Sequence, residues 1–259
     1  LGDVYKRQAH EFASKTGKPS FVVNPPDTDE LCDLARMTGI KGVYRNVHLH
    51  ALNLKETAIR HAAKLGRPYD ECNFIVCHIG GGISISAHLK GKMVDGNDIV
   101  GGEGPMAPTR CGSVPAIEIA KYTAEHGLDV ARAHCMKTGG FVDLLGTSDA
   151  IEVCDRAAAG DKAAARAWDA MVYQICKWIG EMACVLKGDV DGILLGGGMV
   201  HSKELVASIE ECCSWIAPVS AYPGEFELEA MAAGARRVLD GDEKALSYSG
   251  QPVFSGFDG

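Results

Sequence analysis

The sequence predicts an α/β fold, in which segments with helical periodicity alternate with short apolar strands. The apolar run from Phe74 to Cys77 is followed by three glycines and an alternating segment that ends at His88, which predicts two strands joined by a tight turn. A long amphipathic pattern begins near Asp161 and ends at Gly188, and a second apolar strand, Ile193 to Leu195, follows it. We therefore expect helices packed on a sheet.

The composition is that of a globular protein with a substantial core. The 259 residues are 46% hydrophobic and 23% charged, which is enough for one large or two modest domains. The formal net charge of -8 argues against a nucleic-acid partner, since phosphate backbones select basic surfaces. No apolar run approaches the length of a membrane span and no signal-peptide pattern is visible, so we expect a cytoplasmic protein without a membrane partner.

The ten cysteines are scattered along the chain and form no C-x-x-C pair. Several occupy positions where the helical or strand periodicity requires an apolar residue. We interpret them as small buried hydrophobic residues in a reducing compartment. Zinc binding is disfavoured, because no Cys/His pair has the spacing of a zinc finger.

The first eight residues differ from the rest of the chain. Residues 3–8, with the sequence DVYKRQ, match the translation of a transposase end sequence used in preparing DNA sequencing libraries. We interpret residues 1–8 as non-native, which implies that the natural N-terminus is missing; an ordinary polar N-terminal segment is the alternative. Resequencing of the source locus distinguishes the two, since continuous native coding through these codons contradicts the first interpretation.

Helix and strand signals alternate before Phe74. The predicted elements are the end of a helix at residues 10 to 16 stopped by Gly17, a buried strand from Pro19 to Val23, a turn at Asn24 to Pro26, a helix from Asp27 to Met37, and a helix from Leu52 to Leu65 closed by Gly66.

The segment from Phe74 to Asp95 is predicted to form three antiparallel strands, with a turn at Lys90 and Gly91. Helices dominate after a glycine-rich loop. The predicted elements of the C-terminal half are the helix that begins near Asp161, the strand Ile193 to Leu195, a helix capped by Ser202, and a last helix from Glu227 to Leu239.

The glycines Gly80, Gly81 and Gly82 suggest phosphate binding, because consecutive glycines at a strand end expose backbone N–H groups in a tight concavity. The common nucleotide fingerprints are absent from the sequence. Ile85 stands where G-x-G-x-x-G requires its third glycine, which disfavours a Rossmann dehydrogenase, and no G-x-x-x-x-G-K-[ST] occurs. A phosphate site here must use a different architecture.

An ordered series of motifs resembles the acetate and butyrate kinase family. The resemblance covers almost everything after Gln8, and its motifs are specific as a set although each is weak alone. They are Asp29–Glu30, His50–Asn53, His78–Ser84, Gly102–Pro105, Thr109–Pro115, Gly139–Gly140, Leu145–Asp149, Ile193–Gly198 and Tyr222–Glu225.

This resemblance implies a two-domain ribonuclease-H-like fold of the actin and sugar-kinase type. It assigns residues 9–73 to the remainder of the N-terminal domain, 74–224 to a C-terminal nucleotide-binding domain, and 225–259 to a helix returning toward the first domain and a tail. The family begins with a strand and a glycine/serine-rich turn that have no counterpart before His10. We therefore expect the first domain to be incomplete and the chain as written to be a poor or inactive kinase.

The activity implied is transfer of the γ-phosphoryl group of ATP to a short-chain carboxylate, most closely butyrate, giving an acyl phosphate and ADP. The resemblance also implies Mg²⁺, domain closure, and a homodimer or larger homo-oligomer. Acetate, propionate and branched-chain acids are alternative substrates, and a sugar kinase or a non-catalytic nucleotide-binding protein are alternatives from other classes.

Roles for individual residues follow from the same resemblance. Arg110 is matched to a transition-state-stabilising arginine and His78 to a histidine that contacts the phosphoryl group. The glycines Gly80, Gly81 and Gly82 are matched to phosphate binding, Gly196, Gly197 and Gly198 to the adenosine and α-phosphate region, and Glu225 and Asp29 to Mg²⁺. Relatives commonly have aspartate where this chain has Asn24. The residues alone allow a surface arginine, a structural histidine, tight turns and helix-capping acids.

Overall fold

The computed structural model describes residues 2–247 and 249–257 and is built around a five-stranded mixed sheet. The strand order is β3-β2-β1-β4-β5, with β1 and β2, and β2 and β3, antiparallel, whereas β4 is parallel to both β1 and β5. The strands are β1 (Asn73–Ile79), β2 (Ile83–Leu89), β3 (Lys92–Gly96), β4 (Gly192–Gly197) and β5 (Val219–Pro223). The predicted three antiparallel strands and the strand at Ile193 to Leu195 are confirmed.

Ten α-helices surround this sheet within the described residues. They are α1 (Gly2–Thr16), α2 (Asp33–Arg36), α3 (Ala51–Lys64), α4 (Ala116–His126), α5 (Leu128–Ala133), α6 (Phe141–Leu145), α7 (Ala150–Ala158), α8 (Lys162–Val185), α9 (Lys203–Cys213) and α10 (Glu227–Asp240). Short 3₁₀ segments lie at Tyr69–Glu71 and Gly198–His201, and one π turn lies at His134–Thr138. None of these helices has the length and apolar character needed to span a bilayer.

Apolar layers cover both faces of the sheet. Ile75 and Cys77 of β1 point into a core that includes the apolar face of α8, whereas Phe74 and Val76 point into a second core beneath α3. Burial on both faces explains why β1 is a continuous apolar run instead of an alternating one. The sheet therefore lies between the two cores.

Local signals in the sequence explain most element boundaries. Asp161 caps α8 by accepting hydrogen bonds from the backbone N–H groups of Ala163 and Ala164, and Ser202 caps α9 through the N–H of Leu205. Positive φ angles at Lys90 and Gly91 produce the predicted turn between β2 and β3. The predicted helices corresponding to α3, α8, α9 and α10, and the stop at Gly17, are confirmed.

Two predictions before α3 are wrong. Residues 19–23 do not form a strand and are partly or fully exposed, and no strand in the described part of the chain pairs with them. The helix predicted from Asp27 to Met37 is reduced to the single turn α2. Side chains draw the chain away from a helix here, because Asp29 accepts hydrogen bonds from Leu31 N and Arg36, and Glu30 accepts from Lys55 and the backbone of Met93.

The domain boundaries and the origin of residues 1–8 stay predictions. Helix α1 includes residues 2–8, and Leu1 lies outside the described residues. Helix α3, which falls within the segment assigned to the first domain, packs directly on β1 and β4.

Substitution of Gly197 tests the close backbone contact between β4 and β1. Its φ is +99°, and a Cβ at this position would overlap the carbonyl oxygen of Ile79 and lie 2.7 Å from Ile79 N. We expect Gly197→Ala to lower the free energy of unfolding by about 3 kcal/mol, from left-handed strain plus a backbone clash. Urea denaturation measures this change.

The matched control is Gly188→Ala, because Gly188 has a φ of +76° but open space around its Cβ position. Strain alone predicts a cost of about 1 kcal/mol there. Equal losses of unfolding free energy in the two variants would show that the contact between Gly197 and Ile79 adds no cost to that of backbone strain.

Candidate functional site

Two glycine runs meet at the carboxyl ends of the parallel strands β1 and β4. In the register of these strands His78 is the partner of Gly196, and the backbone of Gly197 lies against Ile79. The glycine turn Gly80–Gly82 continues directly from β1. Ligands bind at this end of parallel strands in many α/β folds. The two glycine runs, which the sequence predicted separately, lie side by side at this edge of the sheet.

The glycine turn is tied to the loop that carries Arg110. Gly80 N donates to Gly82 O at 3.1 Å, which closes the turn. Gly81 O accepts from the backbone N–H of Thr109 at 3.1 Å and from its hydroxyl at 2.8 Å. These bonds fix Thr109, and with it the start of the Arg110 side chain, beside the turn.

The guanidinium of Arg110 lies directly on Gly82. A Cβ at Gly82 would overlap Nη1, so only glycine allows this approach. Nε donates to the carbonyl of Met136 at 3.4 Å, whereas Nη1 is buried and has no hydrogen-bond partner among the described residues. Burial lowers the pKa of Arg110, because the charged guanidinium is partly removed from water.

His78 contacts the other side of the same turn. Its side chain is buried, and a Cβ at Gly80 would lie 3.2 Å from His78 Nε2. Nε2 is 3.7 Å from Glu225 Oε1, and Nδ1 has no hydrogen-bond partner in the part of the chain described. Burial and the nearby charge of Arg110 lower the pKa of His78 to about 4, so the imidazole is neutral at pH 7.

His50 is a site residue to which sequence reasoning assigned no role. Its ring stacks on His78 with 4.0 Å between centroids, and its Nδ1 lies 2.7 Å from the Ser84 hydroxyl. Burial, followed by His78 and Arg110, holds the pKa of His50 well below its ordinary value. The signal was present in the sequence, because His50 opens the motif His50–Asn53.

The arginine loop depends on glycines elsewhere in the chain. Ala107 and Arg110 pair through two backbone hydrogen bonds of 3.0 and 3.3 Å. Gly140, with a φ of +64°, packs so closely on this pair that a Cβ would overlap the Ala107 carbonyl. Cys111 N donates to His134 O at 3.0 Å. The motif Gly139–Gly140 thus has a structural reason, which is close support of the loop.

The second glycine run is joined to the chain that follows β5. Gly197 and Gly224 exchange two backbone hydrogen bonds of 3.0 and 3.1 Å. Gly198 opens the 3₁₀ segment that leads to α9, and nothing lies within 4 Å of its Cβ position. Glu225 comes next after Gly224, and its side chain is 54% exposed. A carboxylate is thereby placed between His78 and the second glycine run.

Asp29 has different partners. Both of its carboxylate oxygens accept hydrogen bonds from Arg36, at 2.7 and 2.8 Å, and one also accepts from Leu31 N. The structure thus brings together His78, Arg110, both glycine runs and Glu225, whereas the contacts of Asp29 are with residues near it in sequence.

Comparison with known proteins agrees with this arrangement. The sequence profile of the acetokinase family matches residues 37–213. The chain belongs to the acetokinase family. It is 45% identical over 243 residues to a probable butyrate kinase of Enterococcus faecalis strain ATCC 700802 / V583, covering 93% of this chain and 68% of the relative. A probable butyrate kinase of Clostridium botulinum strain Alaska E43 / Type E3 is 46% identical over 242 residues, with the same coverage.

Solved acetokinase structures share the fold. The acetate kinase of Porphyromonas gingivalis superposes with a TM-score of 0.73 at 22% identity, covering 83% of this chain and 63% of that one. The acetate kinase of Entamoeba histolytica gives a TM-score of 0.72 at 16% identity, covering 82% and 62%. The predicted α/β fold of the ribonuclease-H-like, actin and sugar-kinase type is confirmed. The chain spans about two thirds of the length of these proteins.

The buried histidines make stability depend on pH in a defined direction. The folded-state pKa is about 4 for His78 and about 3 for His88, against 6.5 for an exposed histidine. Below pH 6.5 the unfolded chain takes up protons that the folded chain refuses, so stability falls with falling pH. We expect each histidine to lower the free energy of unfolding by about 2 kcal/mol when the pH falls from 7.5 to 5. Urea denaturation at both pH values measures the loss.

His88→Gln is the informative variant, because His88 lies away from the glycine turn and bonds to the Tyr69 and Ser86 hydroxyls. Between pH 7.5 and pH 5, the free energy of unfolding of this variant is expected to fall by about 2 kcal/mol less than that of the parent chain. An unchanged difference between the two pH values would contradict the burial of a neutral His88.

Proposed function

We propose that this chain carries the phosphoryl-transfer site of an ATP-dependent carboxylate kinase whose acceptor is butyrate. The relatives, which are named as probable butyrate kinases, support the acceptor, and the shared fold supports the reaction class. The observation that carries the proposal is that Arg110 Nη1 and His78 Nδ1 are both buried and have no hydrogen-bond partner among the described residues, on side chains that contact one glycine turn.

The two unpaired donors of this arrangement suit an anion such as phosphate. A buried guanidinium nitrogen without an acceptor is costly, and a phosphoryl oxygen would supply a charge-assisted hydrogen bond. Because Gly80 and Gly82 have no Cβ, the side chains of His78 and Arg110 lie against the turn. The hydrogen bonds from Thr109 to Gly81 hold the backbone next to Arg110 beside the turn, which would limit the reorganisation of that loop on binding.

The proposed reaction breaks the bond between the γ-phosphorus of ATP and its bridging oxygen and forms a bond from that phosphorus to a carboxylate oxygen. Phosphoryl transfer needs positioning and charge stabilisation more than covalent help from the protein. Arg110 is proposed to neutralise charge on the equatorial oxygens. His78, neutral at pH 7, is proposed to donate one hydrogen bond to the same group, with His50 holding its ring by stacking.

The nucleotide and metal sites are proposed along the same edge. The first glycine run, Gly80, Gly81 and Gly82, would approach the transferring phosphate. The second run, Gly196, Gly197 and Gly198, would approach the adenosine and α-phosphate, and the open space at Gly198 supports this assignment. Mg²⁺, when bound, neutralises phosphate charge, and Glu225 is the exposed carboxylate beside His78 that suits it. Asp29 would have to leave Arg36 to bind the ion directly.

Two further properties are proposed on the family resemblance and the sequence composition. We propose that the protein is cytoplasmic and that it forms a homodimer or a larger homo-oligomer. Sedimentation at several protein concentrations tests the second property, and a purely monomeric protein contradicts it.

Acyl hydroxamate formation tests the reaction and its acceptor. The assay supplies ATP, Mg²⁺ and each acid from acetate through valerate, and uses the 259-residue chain beside the chain extended to the full length of its relatives. We expect the longer chain to react fastest with butyrate or isobutyrate. One methylene in an apolar pocket is worth about 1 to 3 kcal/mol, so neighbouring acids should react more slowly but measurably.

A maximum at acetate or propionate would replace the acceptor and keep the reaction. No product from a folded, ATP-binding, full-length protein would overturn the proposed reaction and favour a non-catalytic nucleotide-binding role.

Substitution of Arg110 tests its role in the transition state. We expect Arg110→Ala in the longer chain to lower kcat about 10²-fold to 10³-fold, as removal of one preorganised charge donor does, while ATP binding changes less. The control is Arg132→Ala, because Arg132 is an exposed arginine on α5. Equal kcat values for Arg110→Ala and the parent chain would remove Arg110 from the mechanism.

A further inference from the structure

Three cysteines that are distant in sequence meet at the packing of α8 on α9. Cys176 lies in the middle of α8, and Cys212 and Cys213 are the last two residues of α9. Their Sγ atoms all lie within 4.8 Å of one another. Cys176 and Cys213 are buried, whereas Cys212 is exposed. The cluster therefore has two sulfurs fixed by the core and a third that is open to solvent.

We propose that Cys176, Cys212 and Cys213 form a binding site for a thiophilic cation, of which Zn²⁺ is the common cellular example. Three thiolates are soft donors that favour Zn²⁺ over Mg²⁺. A tetrahedral zinc ion with Zn–S bonds of about 2.3 Å separates its sulfurs by about 3.8 Å. Sulfurs already within 4.8 Å would need to close by about 1 Å or less, which rotation of the exposed Cys212 side chain would help to provide.

The exposure of Cys212 also defines the character of the site. A solvent-facing side leaves the fourth position of a zinc ion to water or to a small ligand. On binding, three S–H bonds break, three S–Zn bonds form, and three protons pass to the solvent, with no change of oxidation state. The site is thus a coordination site and requires no oxidant.

The cluster is separate from the proposed phosphoryl-transfer site. Helix α9 begins just after the second glycine run and ends at the cysteines, about 15 Å further along the helix axis. A cation here would join α8 to α9 beneath the sheet. It would therefore stabilise the element that follows Gly196–Gly198 without entering the nucleotide site.

The spacing rule for zinc fingers overlooks this cluster. Cys176 is separated from Cys212 by the last part of α8, strand β4 and most of α9, and adjacent cysteines such as Cys212 and Cys213 do not match C-x-x-C. The packing of α9 on α8 brings the three thiols together in the folded chain. The prediction that the cysteines are buried hydrophobic residues holds for Cys176 and Cys213 and not for Cys212.

Cadmium titration of the reduced 259-residue chain tests the proposal, because the sulfur-to-cadmium charge-transfer absorption reports thiolate ligands only. We expect one Cd²⁺ per chain, competition by Zn²⁺, and a rise in the thermal midpoint with either ion. Cys212→Ser should lose the absorption and the midpoint shift, and its exposure means that folding should be unaffected. Cys176→Ser should behave in the same way, with circular dichroism confirming that it is folded.

Two controls identify the sulfurs involved. Cys184→Ser should change nothing, because Cys184 is an exposed cysteine on α8 outside the cluster. Cys135→Ser tests the competing thiol pair, since Cys135 Sγ lies 3.9 Å from Cys111 Sγ. Absorption that survives in Cys212→Ser and Cys176→Ser, or that disappears in Cys135→Ser alone, would overturn the proposal, as would absence of binding to the parent chain.

Discussion

The parallel pairing of β1 with β4 is the constraint on which the rest of the site depends. Gly197 lies so close to Ile79 that no side chain fits between the two strands at that point. This approach places the glycine turn after β1 beside the glycine run that ends β4. The adjacent exchange of hydrogen bonds between Gly197 and Gly224 then brings Glu225 to His78. The two backbone contacts of Gly197 thus assemble residues from three strand ends.

Charge is distributed unevenly across this edge. Arg110 carries a permanent positive charge that is partly buried, whereas His78 and His50 are kept neutral by burial and by that same charge. Stacked imidazoles beside a guanidinium cannot readily accept protons. The edge therefore presents the cation of Arg110, two neutral imidazoles and the exposed carboxylate of Glu225. The cation and the imidazoles suit an anion whose charge changes during reaction.

Much of the fold could be read from the sequence, because the sheet and the long helices carry strong local signals. Helix α8 has both a capping aspartate and a continuous apolar face, and β1 and β2 are separated by unmistakable glycines. The prediction for the segment before α3 was wrong because hydrogen bonds to residues distant in sequence set its structure. The bond from the backbone N–H of Met93 to Glu30 is one example. His50 was missed as a site residue for the same reason, since its meaning depends on a ring 28 positions away in the chain. The motif match named Arg110 and His78, but only the structure shows that both contact one turn.

The hydrogen bonds from Thr109 to Gly81 have a mechanical consequence. They join the glycine turn and the arginine loop into a single body that also includes the Ala107–Arg110 pair and its support at Gly140. A displacement of the glycine turn would therefore carry the arginine loop with it. The spacing between the turn and the guanidinium of Arg110 is thus set by contacts within the protein before any substrate binds.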